Sequence, residues 1–179
     1  MDTKKFAMNQ GAVLGLLLVV ISVLFYAFGI LDFEKPVLSW IINTLVITSF
    51  LIFSGIQYRD IYNDGFLSYS ELVKIAVTIT VFSSFVFGFW KVIFIMFITP
   101  EYVELYIQYT AQQLLENADA VEKLGINVDD LLDELESSRE KFKPLWIMTG
   151  EIINKAIGGL LLGLIISFFI KKEDPNLIV

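Results

Sequence analysis

The chain has 179 residues, 56% of them hydrophobic, with no cysteine, no histidine and a formal net charge of −7. Soluble domains are about 45–50% apolar; here the excess is gathered in blocks, which points to a membrane protein. The missing residue types exclude disulfides, thiolate and imidazole metal ligands, cysteine nucleophiles and histidine bases, and with them most hydrolase and metalloenzyme schemes.

The charge is uneven. Eleven acids and four bases lie between Pro100 and Thr149, so this one segment carries the whole net charge. Such a segment disfavours nucleic acid and anionic headgroups as its partners.

Gly11 to Ile30 is an uncharged run of twenty residues. At 1.5 Å per residue it crosses a hydrocarbon core of about 30 Å. Lys4 and Lys5 precede it, yet the run is too long for a signal-peptide core and no small-x-small cleavage site follows. It reads as a retained span over about residues 9–31. Pro36 then suits the first turn of a second helix, with its span at about residues 37–57. Its Asn43, Thr44, Thr48, Ser49 and Ser54 are expected to hydrogen-bond between helices, with a solute pathway as the alternative.

The stretch "YRDIYNDGFLSYSE" is a polar turn signalled by Asp64-Gly65, and Ser68-x-x-Glu71 is a capping box that starts a third helix at about residues 70–98. Thr99-Pro100-Glu101 reads as a fresh cap with proline in the first turn. Beyond it, Val103, Tyr106, Ile107, Thr110 and Leu114 recur on one helical face. Gly125 breaks the pattern. Asp129 is the expected cap of a second short helix, with Val128 stapled to Leu132. Residues 100–143 are therefore a helical hairpin with one apolar and one acidic face. Pro144 ends it, and a last apolar stretch over about residues 145–170 closes on Lys171 and Lys172.

The expected architecture is an all-α membrane protein. It has four transmembrane helices, with an amphipathic acidic helical hairpin between the third and fourth, as a single domain over 1–179. Four spans put both termini on one side. Lys4, Lys5, Arg59, Lys74, Lys171 and Lys172 share that side in short segments beside span ends, which places both termini in the cytoplasm. Trp40, Trp90 and Trp146 then all fall at the opposite interface, where indole rings prefer to sit.

Glu151 and Lys155 stand at the start of the last apolar stretch. Lys155 lies about 6 Å inside the core by the helical rise. Its side chain leans toward the helix N-terminus, so it can reach the interface and pair with Glu151 at i, i+4. Lys91 sits at similar depth on the third helix. Plain interfacial snorkelling is the first reading, a structural cluster of Lys91, Glu151 and Lys155 the second, and a functional charge the third. Gly11-x-x-x-Gly15 and Gly159-x-x-x-Gly163 are small-residue faces for close helix packing, by which the first and last helices are expected to meet. Dimerisation is the alternative.

No catalytic, cofactor or metal constellation stands out. There is no phosphate-cradling glycine loop and no serine elbow. Asp129, Asp130, Asp133, Glu134 and Glu136 lack calcium-loop spacing and read as a solvated face. Arg59, Asp60 and Asp64 form a charged turn that could contact a partner.

"QYRD" after the second span, the turn that follows and "SYSELVKIAV" resemble a bacterial membrane family, domain-of-unknown-function family 4199. So do the proline after the third span, the acidic hairpin and the glycine-rich last span. The resemblance covers nearly the whole chain and implies a multi-pass protein of the bacterial inner membrane. Members usually carry a double glycine where this chain has Asp64-Gly65, a small departure. The family has no established activity, so no catalytic roles carry over. The resemblance also implies a genetic neighbour, a membrane-associated glycosyltransferase, and hence an accessory role.

These observations favour a non-enzymatic accessory or scaffold subunit, without cofactor or metal, that contacts membrane lipids and binds a protein partner or itself. The alternative is a small oligomeric transporter or channel with Lys91, Glu151 and Lys155 at its outer mouth. A lipid-directed enzyme using carboxylates comes third.

Overall fold

The computed structural model describes residues 2–173. Among them the regular secondary structure is helical, apart from one isolated antiparallel bridge between Leu67 and Lys172. Four helices are long and apolar enough to cross a membrane: Thr3–Ala27, Pro36–Tyr62, Tyr69–Ile98 and Pro144–Ile170. The shorter helices lie between the third and fourth. The chain is thus a multi-pass membrane protein. It divides into two compact units, one of residues 1–88 with 150–179, the other Phe89–Thr149.

In the first unit, α1 (Thr3–Ala27) starts well before the uncharged run. The Asp2 carboxylate caps it by accepting the Lys4 N–H at 3.3 Å. It ends in a glycine cap: Gly29 takes a left-handed φ of 69° and donates to the Tyr26 carbonyl, while Ile30 donates to that of Phe25. Helix α2 (Pro36–Gln57) has proline in its first turn and runs on into a π-helical turn at Tyr58–Tyr62. Helix α3 (Tyr69–Ile93) follows, its residues from Phe89 on belonging to the second unit, as does the π-helical turn that extends it over Phe94–Ile98.

The glycine seams differ from expectation. A Cβ at Gly11 would lie 2.5 Å from Phe82 Cβ and 2.7 Å from the Ile79 carbonyl, and one at Gly15 would lie 2.6 Å from Val86 Cβ. One at Gly159 would fall 1.8 Å from Thr80 Oγ1, and one at Gly163 2.9 Å from Ala76 Cβ. Both small-residue faces therefore press on α3 rather than on each other. For the Gly159–Gly163 face the reason lies in α3, where Ala76, Thr80, Ser84 and Gly88 form a small stripe at i, i+4 spacing; Gly11 and Gly15 meet another side of α3, at Ile79, Phe82, Ser83 and Val86. Its hydroxyls turn back on their own helix: Thr80 donates to the Ala76 carbonyl at 3.0 Å and Ser83 to that of Thr80 at 2.8 Å. They need no partner on a neighbouring helix, so neighbours can approach closely. The residue pairs show α1 parallel to α3, and α7 (Pro144–Ile170) antiparallel to it.

The polar set of α2 behaves otherwise than expected. Asn43, Thr44, Thr48 and Ser49 make no interhelical hydrogen bond among the described residues, and Ser49 is exposed. Only Ser54 is fully buried, and its hydroxyl has no hydrogen-bond partner among the described residues.

The second unit holds the hairpin. Helix α4 (Tyr102–Glu116) leads through the short α5 (Ala118–Glu122) to α6 (Val128–Ser137), which ends in a 3₁₀ turn at Ser138–Phe142. Two caps differ from the sequence reading. Thr99 does not cap α4 with its side chain; its carbonyl instead accepts from the Tyr102 N–H at 2.9 Å, closing a turn through Pro100. Asn127, not Asp129, caps α6, its Oδ1 accepting the Asp129 N–H at 2.9 Å, and Val128 becomes the first helical residue. Ile107 and Val128 are buried, and a run of ring contacts links Trp90, Phe94, Tyr102, Phe142 and Tyr106 at centroid separations of 5.2–6.2 Å.

Candidate functional site

The hairpin carries an open apolar groove. Its period puts Tyr106, Thr110 and Leu114 along one line of α4, and Leu131 and Leu135 along the facing line of α6; Phe142 adds to the lining. These residues enclose about 360 Å³, with Glu134, Ser138 and Lys141 also lining it. The α4 stripe read from the sequence is thus only part covered by α6. Ile107 is buried, while Tyr106, Thr110 and Leu114 line the groove. Ser138 Oγ is buried there without a hydrogen-bond partner among the described residues. A buried hydroxyl left unpaired costs free energy.

Arg139 holds the hairpin's polar side. Its guanidinium donates to Glu136 at 2.8 Å and to Glu104, on α4, at 2.9 Å. The two carboxylates push the guanidinium up from its ordinary range, Glu136 contributing most. Hydrogen bonds from Arg139 first, and then from Gln108, hold the Glu104 carboxyl below the usual carboxylate range. The run Asp129, Asp130, Asp133, Glu134, Glu136 lies on α6, and among the described residues no group of three or more His, Cys, Asp or Glu is placed to hold a metal ion.

Glu151 and Lys155 lie one turn apart on α7. Lys155 Nζ donates to Glu151 Oε2, and the same ammonium sits over the Phe87 ring at 4.2 Å from its centroid. The pair is mostly withdrawn from the surface, with side chains 13% and 15% exposed. The ring contact is what sequence reasoning missed. An (i, i+4) pair is visible in one helix, but which aromatic of α3 lies opposite depends on packing. Lys91 is in the other compact unit, in the last turn of α3.

The charged turn is tied into its own unit. Arg59 donates to Asp60 at 2.7 Å and to the Ile170 carbonyl at 3.1 Å, so it serves the C-terminal end of α7. Leu67 and Lys172 exchange two backbone hydrogen bonds, at 2.7 and 2.9 Å, just beyond. Asp60 and Asp64 are exposed. Asp64 and Gly65 have φ of 50° and 83°, the left-handed region, which glycine adopts freely and an aspartate only exceptionally. Glu71, the expected capping-box acid, does not reach back to Ser68. The Ser68 hydroxyl does accept the Glu71 N–H at 3.3 Å, but the Glu71 carboxylate turns toward Thr3, Tyr58 and Asn63, each at 3.5 Å.

No curated protein and no solved structure gives a significant match to this chain. A family model described as a protein of unknown function, DUF4199, matches residues 9–172, nearly its whole length. Four apolar spans, the hairpin between the last two and that match agree, and the chain belongs to this family of proteins of unknown function.

Proposed function

We propose that this protein is a non-enzymatic accessory subunit of the bacterial inner membrane, whose hairpin docks a partner protein in the α4–α6 groove. The observation that carries the reading is the groove itself, apolar along Tyr106, Leu114, Leu131 and Leu135 and holding the unpaired Ser138 hydroxyl. An apolar side chain of the partner meets that lining. Both termini face the cytoplasm in this reading, and the groove faces the other side. The partner class that the family resemblance implies is a membrane-associated glycosyltransferase.

The test is gentle detergent purification from the native host, with mass spectrometry of the companions. A stoichiometric companion is expected with the wild type. It should be lost when residues 101–142 are deleted and in the double variant Leu114→Asp, Leu135→Asp, while membrane insertion persists. A companion that stays with both variants overturns the docking reading.

A charged pair inside a span favours the second reading, a small oligomeric transporter or channel. A lone species of defined size, with ion flux in vesicles that changes in Lys91→Met or Lys155→Met, would put that reading first.

A further inference from the structure

Helices α1 and α3 run parallel and press together at Gly11 and Gly15. Toward their N-termini that glycine seam ends, and the helices part around a cleft of about 340 Å³ within the first unit. Lys4 and Lys74 line it from opposite helices, over a floor made by the buried Ala7 and Ile75. Both lysines are exposed, and neither ammonium has an ion-pair partner among the described residues. The two threonines of the lining are already committed: the Thr3 hydroxyl bonds with Tyr58, and that of Thr78 donates to the Lys74 carbonyl at 2.8 Å. Asp2 also lines the cleft, with its carboxylate on the Lys4 N–H. The lining therefore has two cations against one anion, and the Glu71 carboxylate, outside the lining, is 3.5 Å from the Thr3 hydroxyl; Lys5 does not line the cleft.

The level of the cleft decides what fits. It lies within the first three turns of two spans, which begin at Thr3 and Tyr69. Helical side chains lean toward the N-terminus, so both ammoniums reach toward the same membrane face. A basic pocket between spans at that depth meets phosphate esters above and acyl chain below. The apolar floor accepts the chain and the two ammoniums take the phosphate.

We propose that this cleft binds the phosphate of an anionic phospholipid headgroup, held between Lys4 and Lys74. Two lysines at a membrane surface are together worth about 30-fold in affinity for anionic lipid. The full-length protein in neutral detergent is titrated with phosphatidylglycerol or with phosphatidylcholine of the same acyl chains, and retained lipid is read by native mass spectrometry. One phosphatidylglycerol per chain is expected, in clear preference to phosphatidylcholine and weakened by salt. Lys4→Gln with Lys74→Gln should remove most of that preference, while Lys5→Gln keeps it. Equal retention of the two lipids by the wild type overturns the proposal, whatever the variants do. So does an unchanged preference in the double variant. Inorganic phosphate is the remaining probe: if it displaces the lipid at comparable concentration, the site is one for free phosphate and the lipid assignment falls. Failure to displace supports the lipid.

Discussion

Gly11 and Gly158 are the same residue type in similar apolar runs, yet they should respond oppositely to one added methyl group. A Cβ at Gly11 would strike the Ile79 carbonyl, which is backbone and cannot rotate away, whereas a Cβ at Gly158 meets nothing within 4 Å. Gly11→Ala is therefore expected to destabilise by about 1–3 kcal/mol through overpacking. Gly158→Ala should be neutral or stabilising, by up to about 1 kcal/mol from helix propensity. Thermal unfolding of each variant in detergent checks the order, and a Gly11→Ala protein as stable as the wild type would remove α1 from the α3 seam. The glycines themselves were legible in the sequence. Their partner was not, because spacing shows that a face is small and leaves open which neighbour fills it. For Gly159 and Gly163 the stripe Ala76, Thr80, Ser84, Gly88 on α3 was the available signal, masked by residues that read as ordinary polar or small; for Gly11 and Gly15, which meet Ile79, Phe82, Ser83 and Val86, the sequence held none.

At the scale of elements, the hairpin rests on an apolar seam and one polar strap. Arg139 on the 3₁₀ turn reaches Glu104 on α4 and Glu136 on α6, and so ties the two arms together. Glu104 is held ionised below the ordinary carboxylate range by that guanidinium. A depressed carboxyl contributes stability that is present above its unfolded-state pKa and is lost as pH falls through its folded-state one. Acid should thus loosen the hairpin. Denaturant unfolding of the intact protein at about pH 7 and at about pH 3 brackets the window. The wild type is expected to lose more stability across it than Glu104→Gln, which has no charge to lose. Equal losses would show that the strap contributes nothing. The caps teach a local lesson. Asn127 outcompeted Asp129 because the chain leaves Gly125 in a left-handed turn and is already helical at Val128. Two residues of register decided which side chain faces the free N–H groups.

At the scale of the molecule, four spans return the chain to the membrane face where it began. Thr3, Tyr58, Glu71 and Lys172 all belong to one compact unit, and the end of α7 is bound to the α2–α3 turn through Arg59 and the Leu67–Lys172 bridge. The proposed orientation can be read by labelling, since the natural chain has no cysteine to interfere. Leu124 is 77% exposed at the hairpin tip, and Lys5 is exposed at the other end of the chain. Leu124→Cys should react with an impermeant maleimide on cells whose outer envelope has been opened, and Lys5→Cys only after the inner membrane is breached. The reverse pattern would invert the orientation and place the hairpin groove in the cytoplasm.

Length and apolarity determined by themselves that this chain has four spans, because a hydrocarbon core about 30 Å thick accepts only long uninterrupted apolar helices. The 3.6-residue period likewise determined the hairpin and its greasy face. Only the tertiary structure decided that both glycine faces meet α3, that Lys155 sits over Phe87, that Arg59 serves the end of α7, and that the α4 face is left half open as a groove. The first set depends on one segment and its solvent. The second depends on which surfaces meet across distant parts of the chain, and a lipid-soluble helix carries the same apolar pattern on every side.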